Sequence, residues 1–435
     1  MKKLKSFVLA LFILSLSVIL LSSCNGQDDT EPEYSGDAIT LNVYNWGEYI
    51  SDGFEGALDV NAEFEKYYFE KFGVRVKVNY TTYATNEDMY SKLSSGAGTY
   101  DIVVPSDYMI EKMINEDMLL KFDATELENY QYIGESFKNL YYDPENCYSV
   151  PYTYGMMGVI YNEALVDEED YSSESWGLLW NEKYRGKILQ FNNPRDAFGS
   201  AMYYLGLDIN STDPAVWQAA QKKLSEQKPL IQAYVNDEIF NKMTTASAAI
   251  APYFAGDFII MASENEDLKF YYPEEGTNFF VDAMCIPKNA KQPEIAKEYI
   301  NFMLYEEIAI ANALYIGYAS PHTLVSSNED YIVEMEDMCE GAMDILYGKS
   351  PDEVNGEYNK KYGTACYKSF SPEIQEQVNS LWEGLKTENS TELWVHIFCI
   401  AIVVGVVALA TYTVYIRKRR SRHYRIRDRQ RAKSK

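Results

Sequence analysis

Aromatic and acidic side chains gather where two apolar runs end. Ile39-Thr40-Leu41-Asn42-Val43-Tyr44 alternates like a strand and leads into Asn45-Trp46-Gly47-Glu48-Tyr49. Ile102-Val103-Val104 is stopped by Pro105 and leads into Ser106-Asp107-Tyr108. In a parallel α/β lobe, ligands collect at the carboxyl ends of strands. Trp46 and Tyr49 are therefore well placed to line a pocket, and Ser106 and Tyr108 follow their strand in the same way. The chemistry would be binding: flat rings pack against CH₂ groups and attract cations. The alternative is that these rings only cap the core. With 38 Tyr and 19 Phe in the chain, composition weighs the two readings equally.

Catalysis has no comparable marker. No Gly-x-Ser-x-Gly, phosphate-cradling Gly-x-x-x-x-Gly-Lys-Ser/Thr or His-Glu-x-x-His occurs. His322, beside Pro321, is the only His from Ile39 to Lys386, and a lone His is more often structural than a base. With 65 acids, carboxylate pairs abound and none is singled out. Cys147, Cys285, Cys339 and Cys366 form no Cys-x-x-Cys, which argues against zinc and redox sites and leaves their pairing open. No catalytic residue, metal or cofactor is expected.

The elements around these residues alternate short strands with amphipathic helices from Ile39 to about Lys386. Helices are expected over Asp59–Phe72, from an N-cap at Asn86 through Leu93, over Glu111–Leu119, Pro214–Leu224 and Asp237–Met243. One long helix is expected over Glu294–Tyr315, with Pro293 in its first turn. Strands are expected at Val74–Val78, Asp101–Pro105, Gly158–Tyr161, Lys187–Leu189, Ser247–Ala251 and Asp282–Ile286. This rhythm implies an α/β fold with a mainly parallel sheet.

The ends set the compartment. A basic start is followed by the apolar run Phe7–Leu21 and then Leu21-Ser22-Ser23-Cys24, an export signal ending in what resembles a bacterial lipobox. Residues 1–23 read as a lipoprotein signal, Cys24 as the lipidation site and 24–38 as a flexible tether. At the other end 393–416 is uncharged and long enough to span a bilayer as a helix. The tail 417–435 holds 11 Lys and Arg and one Asp, which makes it cytoplasmic by the positive-inside rule.

The whole chain carries −26. The basic tail and Lys2, Lys3 and Lys5 hide a charge of −39 on residues 6–416. Such a field gathers cations, repels anions and argues against nucleic acid as a partner.

Four segments carry a resemblance in register. They are Tyr44-Asn45-Trp46-Gly47-Glu48-Tyr49; Tyr83-x-x-Asn86-Glu87-x-Met89-Tyr90-x-Lys92-Leu93; Tyr100-Asp101-Ile102-Val103-Val104-Pro105-Ser106; and Ile316-Gly317-Tyr318-Ala319-Ser320-Pro321. Together they resemble the spermidine/putrescine-binding proteins of polyamine ABC transporters, a family of bacterial extracellular solute-binding proteins. The resemblance implies a two-lobed periplasmic-binding-protein-like α/β fold that closes about a hinge. Lobe 1 would be 39–152 with 281–326, and lobe 2 would be 153–280 with 327–386. The C-terminal span departs from the family, whose members usually end after the second lobe.

The resemblance also implies the ligand contacts. Trp46 and Tyr49 match the family's first aromatic pair, and Ser106 and Tyr108 its Ser-x-Tyr. Asn193 and Asp196 stand where the family has an acidic pair, so one carboxylate has become an amide. Phe254 and Phe280 stand where the family has Trp, Asp282 keeps an acid, and Tyr318 matches the Ile-Gly-Tyr tyrosine. A further polar contact falls somewhere between Thr364 and Ser369. Asp196 and Asp282 would take ammonium groups between aromatic walls. With fewer charges, a shorter diamine such as putrescine is expected to be favoured.

The implied function is a polyamine receptor, not an enzyme. It would be anchored to the extracytoplasmic face of a bacterial membrane, with ABC permease subunits and membrane lipid as partners. The competing readings are the same receptor for another small organic cation, a sugar or ferric iron, and an extracytoplasmic enzyme or a membrane-anchored sensor and scaffold.

Overall fold

The computed structural model describes residues 37–363, 365–387, 402–405 and 411–412. The signal, Cys24 and most of 393–416 lie outside the described residues. Among the described residues no helix is long and apolar enough to cross a membrane. Cys147, Cys285 and Cys339 are free thiols.

The described chain divides into two compact units: residues up to Thr40 with Glu65–Lys77, and Leu41–Phe64 with the residues from Val78 onward. In the first, Ile39 N donates to Arg75 O at 2.9 Å and Lys77 pairs with Glu65 at 3.0 Å. Every residue of the site described below belongs to the second.

The described residues include nine strands of one sheet: β1 (Ile39–Trp46), β2 (Val76–Tyr83), β3 (Ile102–Val103), β4 (Ser149–Asn162), β5 (Ile188–Phe191), β6 (Ile231–Val235), β7 (Ile250–Phe254), β8 (Leu268–Tyr271) and β9 (Phe279–Cys285). The order is β2-β1-β3-β9-β4-β7-β5-β6, with β8 beside β4. Leu41, Val43, Ile102 and Val103 are buried, as befits inner strands covered on both faces.

The sheet is mixed, which corrects the mainly parallel expectation. β1 with β3, and β5 with β6 and β7, are parallel, but β9 runs antiparallel to β3 and β4, and β7 and β8 run antiparallel to β4. Parallel neighbours need a crossover of a dozen or more residues. β8 and β9 are not neighbours but successive antiparallel partners of β4, joined by residues 272–278. β4 changes partners along its length: Ser149–Met156 pairs with β9 and Met157–Asn162 with β7 and β8. Its register shifts between Pro151 and Thr153.

The helices that position the site are α1 (Asn86–Ser94), α2 (Asp107–Asn115), α3 (Pro194–Tyr204) and α4 (Ala255–Glu264). Thr85, not Asn86, caps α1: its hydroxyl accepts from Asp88 N. α2 begins at Asp107, four residues before the helix expected from Glu111. The long helix expected over Glu294–Tyr315 is two helices, α5 (Pro293–Met303) and α6 (Glu306–Ile316). Tyr305 takes an extended conformation between them, and Glu306 and Glu307 supply the acids that favour a new helix start.

Candidate functional site

β1 delivers Trp46 at its carboxyl end. The indole Nε1 donates to Val104 O at 2.9 Å, and the Tyr83 hydroxyl donates to the same carbonyl at 2.7 Å. The ring is thereby fixed by a β3-end carbonyl rather than by core packing alone. The next turn carries Glu48 in the left-handed region (φ 47°) and brings Tyr49 inward. The Tyr49 hydroxyl donates to Asp282 Oδ2 at 2.7 Å and lies 2.6 Å from Thr153 Oγ1.

Ser106 precedes α2 and forms an isolated bridge with Asp282 of β9. Asn86 organises this corner: its Oδ1 accepts from Ser106 N, and its Nδ2 donates to Ser106 Oγ and to the Tyr108 hydroxyl. Tyr108 in turn donates to Glu87 at 3.1 Å.

Asn193 is the N-cap of α3, with Pro194 in the first turn. Its Oδ1 accepts from Asp196 N and its Nδ2 donates to Asp196 Oδ2, both at 2.9 Å. The Asn193 amide therefore both starts the helix and orients Asp196. Arg195 is 2% exposed, and its guanidinium lies over the rings of Tyr108, Tyr367 and Phe370 at 4.1–5.1 Å.

Phe254 ends β7 and precedes α4, whose first turn carries Asp257. The Phe254 ring is 5.2 Å from Phe280 and 5.3 Å from Phe191. The Tyr318 hydroxyl donates to Asp257 Oδ2 at 2.6 Å. Gly256 makes that approach possible, because a Cβ there would run into the Tyr318 ring.

All ten residues implied by the resemblance line one cavity of about 860 Å³, a volume that includes its open mouth. Trp46, Tyr49, Ser106, Tyr108, Asn193, Asp196, Phe254, Phe280, Asp282 and Tyr318 are brought together from across more than half of the chain. The structure adds residues that sequence reasoning missed. Asp107 and Glu87 lay inside segments already quoted, Arg195 lies between Asn193 and Asp196, and Asp257 lies three residues after Phe254. Asp237, Asn278 and Tyr367 carried no motif. Tyr367 falls within the stretch Thr364–Ser369 where a polar contact was expected. Asp237 sits against the Trp46–Glu48 turn, where a Cβ on Gly47 would lie 2.6 Å from its Oδ2.

Six carboxylates and one guanidinium thus share the cavity wall. Burial pushes Asp196 and Asp282 up to about 6 and Asp257 up to about 7. Hydrogen bonds from Asn193, from Tyr49 and Ser106, and from Tyr318 respectively oppose the rise. Desolvation also raises Glu87 and Asp237, and it lifts Asp107 well above the usual carboxylate range. Desolvated acids of this kind are stabilised by a cation entering from water.

Comparison with known proteins agrees with this geometry. The family model for bacterial extracellular solute-binding proteins matches residues 97–334. The spermidine/putrescine-binding periplasmic protein of Escherichia coli is 33% identical over 290 residues, covering 66% of this chain and 79% of that protein. A putrescine/cadaverine-binding protein of Pseudomonas aeruginosa is 27% identical over 295 residues, covering 66% of this chain and 80% of that protein. Among solved structures, the spermidine/putrescine ABC transporter substrate-binding protein of Streptococcus pneumoniae matches with a TM-score of 0.61 and 33% identity. That match covers 80% of this chain and 99% of that one. The fold is accordingly the mixed α/β, two-lobed fold of periplasmic binding proteins. This chain belongs to the bacterial extracellular solute-binding proteins, a family of receptors rather than enzymes.

Proposed function

We propose that this protein captures a linear polyamine, putrescine or spermidine, outside the membrane and delivers it to an ABC importer. The observation that carries the reading is the cavity wall: six carboxylates against one guanidinium, set between the rings of Trp46, Tyr49, Tyr108, Phe254, Phe280 and Tyr318. Each ammonium leaving water needs an acceptor, and each methylene an apolar face. A neutral sugar would leave the desolvated acids uncompensated.

Lobe 1 is 39–152 with 281–326, and lobe 2 is 153–280 with 327–386. The register shift of β4 between Pro151 and Thr153 supports a crossing at that boundary. The ten ligand residues then come from both lobes, so closure would complete the site. Cys24 would carry lipid and 393–416 would span the membrane, with 417–435 inside. Double anchoring would hold the receptor at high effective concentration near its permease.

The test is calorimetric titration of the full chain in detergent with putrescine, spermidine and cadaverine. One-to-one binding that is lost in Asp282→Ala is expected. A folded protein that gives no heat with any of them would sink the polyamine reading.

A further inference from the structure

The chain that follows Tyr49 leaves the cavity wall and forms a small closed loop, residues 51–60. Its base is fastened by backbone and side chain together. The Ser51 hydroxyl donates to Leu58 O at 2.6 Å, Val60 N donates to Ser51 O at 3.1 Å, and Asp52 and Asp59 form an isolated bridge. α6 holds the same base: Asn312 Oδ1 accepts from Ser51 N at 3.0 Å, and the Tyr315 hydroxyl donates to Asp52 Oδ1 at 2.8 Å. The tip closes on itself, with Phe54 N donating to Asp52 Oδ1 and Ala57 N to Phe54 O, both at 3.0 Å.

A loop fastened in this way could bury its large side chain, and this one does the opposite. Phe54 at the tip is 65% exposed, the most exposed large apolar side chain among the described residues, and Leu58 is exposed as well. The tip backbone is left-handed at Gly53 (φ 85°), Glu55 (φ 53°) and Gly56 (φ 91°). Glu55 carries a Cβ, for which that conformation is unfavourable. Backbone strain and an aromatic ring kept in water, both imposed by a bonded base, mark a surface shaped for contact.

The charge around the ring says what kind of contact. From Asn45 to Phe64 the chain has five acids and no Lys or Arg. Asp52, Glu55 and Asp59 flank Phe54 and are exposed. Such a rim repels an anionic lipid surface, and it repels a second copy of itself. A protein pocket with an apolar floor and a Lys or Arg rim complements it.

The loop is also joined to the ligand site. Trp46 and Tyr49 line the cavity from the turn just before it. Glu48 in that turn is raised by burial and then by the charges of Asp237 and Asp52, so the loop's charge is felt there. A partner seated on the loop therefore stands at the edge of the cavity.

We propose that loop 51–60 is the element by which this receptor docks on the importer's permease, with Phe54 entering an apolar pocket rimmed by Lys or Arg. The inference rests on the reading of the protein as a receptor for an ABC importer. It adds which surface makes the contact and what the partner must present.

The experiment uses bacterial cells that carry the full chain, natural or variant, in place of their own copy. Two quantities are read: the initial rate of radiolabelled putrescine uptake, and the putrescine affinity of the purified full chain by calorimetry. Phe54→Ser should lower uptake about tenfold or more while affinity moves by less than about twofold. Glu55→Lys reverses a rim charge and should show the same split. Val333→Ser, at an apolar side chain 58% exposed on the helix Glu329–Met338, should change neither quantity. A photoreactive benzoylphenylalanine at position 54 should cross-link to a permease subunit, identified by mass spectrometry. Unchanged uptake in Phe54→Ser and Glu55→Lys, an equal fall in Val333→Ser, or a loss of affinity that matches the loss of uptake overturns the docking loop. So do cross-links that reach only lipid or a second copy of this chain. Each of these results leaves the polyamine reading standing. A natural chain that binds no putrescine overturns that reading alone, and the cross-link then decides the loop.

Discussion

The two ends of the cavity hold buried acids by different means. At one end Asp196 is capped by the Asn193 amide, and the Arg195 guanidinium lies close by, stacked on three rings. At the other, Asp257 has a single hydroxyl, that of Tyr318, and the like charges of Asp237 and Glu48 nearby. Burial is the leading cause of the upward shift in both, yet Asp257 rises to about 7 and Asp196 only to about 6. The difference teaches that one end is partly neutralised by the protein itself. At the other, like charges stand in place of the guanidinium.

The largest effect expected from disturbing this contrast is on stability. Arg195→Ala removes three cation–ring contacts and strands Glu87, Asp107 and Asp196 without a nearby cation. It should cost the ligand-free protein about 2–4 kcal/mol in urea unfolding. Tyr318→Phe at the other end removes one hydrogen bond to Asp257 and should cost about 1–2 kcal/mol. Equal costs would show that the guanidinium does not set the two ends apart.

A middle-sized effect is expected from pH. Asp257, Asp196 and Asp282 all have folded values raised above their unfolded ones, so the folded state binds more protons. Their contribution to stability is therefore most favourable below the ordinary carboxylate range and is lost as pH rises through about 6 to 7. The melting temperature of the ligand-free protein should rise as pH is lowered from 7.5 to 5.5, which are the conditions chosen for the scan, about half a unit beyond each end. Amine affinity should fall over the same range, because binding needs the charged forms. In Asp257→Asn the upper part of the melting shift should disappear; an unchanged profile would assign that proton elsewhere.

The smallest effect belongs to Asn193→Asp. Aspartate caps a helix as well as asparagine does, so ligand-free stability should move by less than about 1 kcal/mol. The added charge beside Asp196 should strengthen spermidine severalfold more than putrescine. An equal change for both, read by calorimetry, would mean that this end does not sense ligand length.

Much of the site was legible before any coordinates. Trp46, Tyr49, Ser106 and Tyr108 follow apolar runs whose period marks them as strands, and residues at strand ends converge by the geometry of the fold. Asp107 stood between Ser106 and Tyr108, and Asp257 three residues after Phe254, but both were passed over, because a carboxylate in a chain of 65 acids looks like solubility until its burial is known. Tyr367 depends on Gly199, where a Cβ would collide with its hydroxyl from 168 positions away in the sequence. No local pattern encodes such a fit. The break between α5 and α6 was invisible for a related reason: apolar residues run on from one helix into the other without a Gly or Pro between them, so Leu304 and Tyr305 read as helix.

What the sequence determined by itself was local: which segments are strand or helix, which residues end them, and the excess of acid over base in residues 6–416. Those follow from side-chain period, caps and formal charge, which act over a few neighbours or by simple sum. What only the tertiary structure decided was the pairing of β4 with β7, β8 and β9, and the state of each acid. Strand pairing is a choice among distant partners, made by connection length and packing. The protonation of Asp107, Asp257 and Asp282 is decided by how far folding removes each carboxyl from water.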